Sequence, residues 1–231
     1  MLISAIAQRF RARQGARCRM LAAASIALLG CLHPAAAHPH VFVVATAIVN
    51  IENGAITSIS HTWTFDEFYT AMATEGLAKN KDGGYGRAEL AELAKVNVDG
   101  LKEFQYFTFP TLGKTELKVG DPKEGEYYLE HKDSVLSLHF TVPLMKPVLL
   151  DAKGFAFLIT DPSYFIAFEL SEKDPPKLNP TAPPNCKLTV GAPKPETPEE
   201  KKLGGAFAEQ MAPANLGFGE PAKSIMVSCA P

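Results

Sequence analysis

Apolar residues dominate positions 41–49, as in a strand covered on both faces. Asn53-Gly54 then supplies a two-residue turn, and 56–65 alternates apolar with polar, so the pair predicts a β-hairpin. A helical pattern follows. Thr64-x-x-Glu67 reads as a capping box, with Phe68 and Met72 on one face. A second helix is predicted over about 87–96, carrying Leu90, Leu93 and Ala94 inward. From there the period returns to two. Residues 104–109, 116–119, 126–131, 135–142, 155–160 and 164–170 read as strands separated by Gly, Pro or Asp turns.

Residues 174–198 hold eight of the chain's 18 prolines and read as an irregular surface connection. A short strand at 187–190, a short helix at 199–211 and a last strand at 225–229 complete the pattern. The expected fold class is α+β: mostly antiparallel sheet or sandwich, one helical insertion and a tied C-terminal tail.

The start of the chain differs in kind. Arg9, Arg11, Arg13, Arg17 and Arg19 precede an apolar run at 20–32 and the small residues Ala35-Ala36-Ala37, and no acid occurs before Glu52. That is the anatomy of a secretory signal peptide, 1–37, cleaved after Ala37. It leaves 38–231 as a single exported, periplasmic domain. A competing reading takes Leu28-Leu29-Gly30-Cys31 as a lipoprotein-type cleavage sequence ending in a lipidated Cys31. No later stretch reaches the ~18 apolar residues a membrane span needs.

Cleavage changes the arithmetic. The whole chain has 23 basic and 25 acidic side chains, and the leader removes five arginines and no acid. The remainder is acidic, which argues against nucleic acid and anionic membrane as partners and suits cations. Cys18 and Cys31 leave with the leader, whereas Cys186 and Cys229 stay. An even pair in an oxidising compartment predicts a disulfide worth on the order of 4 kcal/mol.

The candidate chemistry is histidine-centred. His38-Pro39-His40 would open the exported chain, and neutral imidazoles suit Zn, Ni or Co. Pro39 lacks the amide N–H that a square-planar terminal copper or nickel site requires, so these histidines need other partners. The plain alternative is a frayed terminus with two solvated imidazoles. His61 shares strand parity with Ile59, Trp63 and Phe65, where a core role competes with ligation. Asp66 reads either as a further ligand or as helix-capping charge, and His139 falls on the polar face of its strand.

Residues 78–89 look like a degenerate EF-hand loop. Gly83 takes the invariant sixth position, and Asn80, Asp82 and Glu89 take the third, fifth and twelfth. Ala78 in the first position cannot coordinate, so calcium is not expected. Neither a G-x-S-x-G turn, an H-E-x-x-H pair nor a P-loop is present, and no catalytic residue is expected.

Several motifs together resemble a known family. They are Ala37–Val43 (AHPHVFV), Ser60–Tyr69 (SHTWTFDEFY), AKVNVDGLKEFQYF at 94–107, LHFTVPL at 138–144, DPSYFIAF at 161–168 and SIMVSC at 224–229. These are similar to the bacterial domain-of-unknown-function family 1007. Its members are labelled as the periplasmic component of an ABC-type transport system and associated with nickel/cobalt-type transporters. The resemblance implies a part for His38, His40, His61, Trp63, Asp66, His139, Asp161 and Tyr164, and an inner-membrane metal transporter or ABC permease as partner. At this size, a two-lobed hinge-closing receptor is not expected, and an accessory or delivery protein is. The competing class is a periplasmic adaptor that binds no metal.

Overall fold

The computed structural model describes residues 41–163, 165–193 and 222–230. His38, His40 and Tyr164, along with the helix expected at 199–211, lie outside them.

Strand β1 (Val41–Glu52) and strand β2 (Ala55–Phe65) form the expected hairpin. Asn53 and Gly54 both take positive φ, 51° and 77°, as a two-residue turn that follows strand twist demands. Helix α1 (Glu67–Ala73) follows at once. Its cap is Asp66, not Thr64: Asp66 Oδ1 accepts from the Tyr69 amide at 2.7 Å. Thr64 is still in the strand, where its hydroxyl meets Ser137 across the sheet at 2.9 Å. Helix α2 (Arg87–Leu101) buries Leu90, Ala94 and Val98 and runs longer than its sequence pattern predicts.

The segment 104–109 departs most from expectation. It begins as a tight helical turn, Lys102–Phe107, and only then becomes strand β3 (Thr108–Leu112). Gln105, Tyr106 and Phe107 all have positive φ (52°, 54° and 46°), which no strand allows. Strands β4 (Thr115–Glu116), β5 (Tyr128–Lys132), β6 (Val135–Leu149), β7 (Phe155–Ile159), β8 (Ile166–Leu170) and β9 (Lys177–Leu178) come next. Strands β10 (Cys186–Pro193) and β11 (Lys223–Cys229) end the described chain.

Two open sheets result. One has the order β5-β6-β2-β1-β8 with β9 beside β1; the other runs β10-β11-β7-β3-β4. Most pairs are antiparallel as expected, but β1 pairs with β8 and with β9 in parallel. Both sheets and α2 contribute to one apolar core, in which Trp63, Phe155, Phe157, Leu138 and Ile225 are fully buried. Cys186 and Cys229 face each other across β10 and β11 and are bonded, S–S 2.04 Å. The tail strand is thereby fastened to β10, which with β9 lies inside the proline-rich stretch 174–198, so that stretch is less irregular than its prolines predict. No helix among the described residues is long and apolar enough to cross a membrane.

Candidate functional site

Register decides which histidines can meet. His61 of β2 lies opposite Phe140 of β6, and the next pair is Thr62 with His139. Side chains alternate between faces, so the two imidazoles leave the sheet on opposite sides.

His61 points into the core and is 2% exposed. Its ring stacks on Phe140 at 5.0 Å and meets Trp63 edge-on at 5.8 Å. Nε2 lies 3.1 Å from the Thr108 hydroxyl, while Nδ1 has no partner among the described residues. Burial drives its pKa down to about 3, because the surroundings cannot solvate an imidazolium. Asp66 is roughly 16 Å further along the strand, at ~3.3 Å per residue. Both of its oxygens are engaged, Oδ1 with Tyr69 N and Oδ2 with Phe42 N at 2.9 Å. Asp66 thus starts α1 and pins the beginning of β1 in one act.

His139 stands on the outer face. Its Nδ1 is 3.1 Å from the Thr62 hydroxyl, and its ring stacks on Tyr128 of β5 at 4.5 Å. Nε2 is 3.5 Å from Glu130 Oε2, inside ion-pair range but outside hydrogen-bond alignment. The Arg87 guanidinium, at the start of α2, sits 3.6 Å over the Tyr128 ring. Partial burial lowers the His139 pKa, Glu130 works against that, and Arg87 adds to it. A row of hydroxyl pairs, Thr64 with Ser137 and Ser60 with Thr141, continues along the same face.

His61, Asp66 and His139 are therefore not brought together, and no three His, Cys, Asp or Glu side chains converge among the described residues. Two side-chain oxygens of the 78–89 loop are also used internally, whereas the Asp82 carboxylate makes no hydrogen bond among the described residues. Asn80 Oδ1 accepts from the amides of Asp82 and Gly84, and Glu89 Oε2 accepts from Gly86 N at the start of α2. Asp161, 5% exposed, accepts four donors: the Ser163 amide and hydroxyl, and the amides of Phe165 and Ile166. It holds the bend that leads into β8. Trp63 is a core residue, 1% exposed, packed against Phe140 and Phe168.

Sequence reading missed Arg87, Tyr128 and Glu130. A signal was present in Asp133-Ser134, a two-residue turn with φ of 51° and 66°. Taken as a tight turn, it fixes the β5–β6 register and sets Tyr128 opposite His139.

These features define a strand-rich α+β protein of two open sheets with a disulfide across its last two strands. The chain belongs to the family described as protein of unknown function (DUF1007), whose model matches residues 23–229. No curated protein matches it.

Proposed function

We propose that the chain is an exported periplasmic accessory protein of a transport system, which binds a divalent transition metal (Zn, Ni or Co) for an inner-membrane metal transporter or ABC permease. One observation supports it above others: the 3.5 Å separation of His139 Nε2 and Glu130 Oε2 on an outer face. Two ligands of a tetrahedral zinc, each about 2.0–2.1 Å from the metal, stand roughly 3.3 Å apart. The pair has the bite of such an ion. With metal bound, Nδ1–H would donate to the Thr62 hydroxyl and hold the ring in place, the usual support for a ligating imidazole. The ligand set drawn from sequence thus loses His61 and Asp66 to structural tasks and gains Glu130. His38 and His40 stay in it on chemical grounds, since a pair of ligands needs two more. Export rests on the arginine-rich, then apolar, then small-residue start of the chain. The 78–89 loop is read as a degenerate calcium loop whose oxygens now shape the entry to α2.

Calorimetric titration of the chain starting at His38 with Zn(II), Ni(II) and Co(II) tests this. We expect binding tighter than about millimolar that weakens at least tenfold in His139→Ala and again in a His38/His40→Ala double variant. Arg87→Ala should tighten it, because a guanidinium near the site repels a dication. Absence of binding, or binding indifferent to all three changes, would sink the proposal. One specific observation favours the non-catalytic adaptor as the second reading: the side-chain oxygens of Asp66, Asn80 and Asp161 are each committed to backbone amides.

A further inference from the structure

The second sheet carries a cleft of about 420 Å³, lined by residues of β3, β4, β7 and β11. That size lies in the range of small-molecule sites. Its floor comes from two cross-strand pairs, Phe109 with Leu158 and Thr111 with Ala156, on the partly exposed side of β3 and β7. Gln105, Thr160 and Ser224 stand at its rim, and their side chains make no hydrogen bond among the described residues. An apolar floor with unspent polar groups around it is the composition of a ligand site, not of a packed surface.

Charge narrows the ligand. Among the described residues, Glu116 and Asp161 line the cleft and no basic side chain does. Asp161 already accepts four donors, whereas Glu116 is exposed and pairs with no cation among the described residues. The local field favours a cation, with Glu116 as its counter-charge.

Backbone strain points to the same place. Gln105, Tyr106 and Phe107 are three consecutive non-glycine residues in the left-handed region, a backbone that L side chains rarely adopt. The surroundings enforce the turn. Tyr106 and Phe107 are buried, the Tyr106 hydroxyl donates to Asp121 at 2.9 Å, and the Thr160 amide donates to the Phe107 carbonyl at 3.1 Å. The last of these ties the turn to Thr160 at the cleft's rim. Strain held this firmly clusters at ligand clamps; here it brings Gln105 to the end of the cleft.

We propose that this cleft binds a small amphipathic amine, with its apolar body on Phe109 and Leu158 and its ammonium toward Glu116. The site shares no residue with the proposed metal face.

Hexylamine, with hexanol and hexanoate as comparators, tests it by ¹H–¹⁵N NMR titration of the labelled chain. Hexylamine should shift the Gln105 side-chain amide and the backbone amides of Thr111, Ala156, Thr160 and Ser224 saturably, at millimolar concentration. Hexanoate should bind at least tenfold more weakly. Ala156→Trp fills the floor and should abolish the shifts. Glu116→Gln, on an exposed two-residue strand, should reduce hexylamine to the affinity of hexanol. Equal binding of hexanoate, shifts scattered away from the cleft, or an amine preference that survives Glu116→Gln each overturns the assignment. If Ala156→Trp fails to fold, the Glu116→Gln comparison decides alone.

Discussion

The Thr108 hydroxyl has one proton, and it donates that proton to the Tyr106 carbonyl at 2.9 Å. Toward His61 it can only accept, so His61 carries its proton on Nε2 and leaves Nδ1 as a bare lone pair. The ring is a neutral core residue with a fixed tautomer. Its pKa of about 3 lies below the ordinary 6.5, so between those values the unfolded chain binds a proton that the native chain refuses. Stability is therefore complete above pH 6.5 and declines as pH falls toward 3, by roughly 1.4 kcal/mol per unit from this group. Urea unfolding at pH 7, 5.5 and 4.5 should show that slope, and His61→Phe, which keeps the stack on Phe140, should reduce it by about that much. An unchanged slope in the variant would show that His61 is not the titrating group.

Among elements, the turn at 102–107 teaches most. Residues 104–109 read as a strand between turns, yet two of the aromatic rings in this segment, Tyr106 and Phe107, reach the core from left-handed backbone. Tertiary packing of Tyr106 and Phe107 overrode the local pattern. Gln105 is exposed, so Gln105→Gly removes strain and little packing. We expect it to raise stability by about 1 kcal/mol in chemical denaturation, and a loss of stability would contradict the strain argument. The β1–β2 hairpin was legible because Asn53-Gly54 sets turn and register together. The inward face of His61 was legible from parity with Trp63. The cap was not, since Thr64 and Asp66 are both good caps and only the position of β6 opposite Thr64 chooses between them. Nor was the Arg87–Tyr128–His139 stack, which needs a register and a helix start at once.

On the scale of the whole molecule, two devices secure the sheet edges: the bond between Cys186 and Cys229, and the parallel return of β8 and β9 beside β1. Replacing both cysteines by serine should cost on the order of 4 kcal/mol and lower the melting temperature, while the native far-ultraviolet spectrum persists in the cold. A melting temperature unaffected by the change would mean that the reduced, unfolded chain is already restrained. The parallel return has a consequence for time. Val41 is registered with Ile166, so strand β1 waits for a mate roughly 125 residues downstream. At about 5–20 residues per second, synthesis takes on the order of ten seconds to deliver it. During that interval β1, a long and largely apolar strand, has one open edge, an exposure that slows folding of the nascent chain and leaves a template for pairing with other chains.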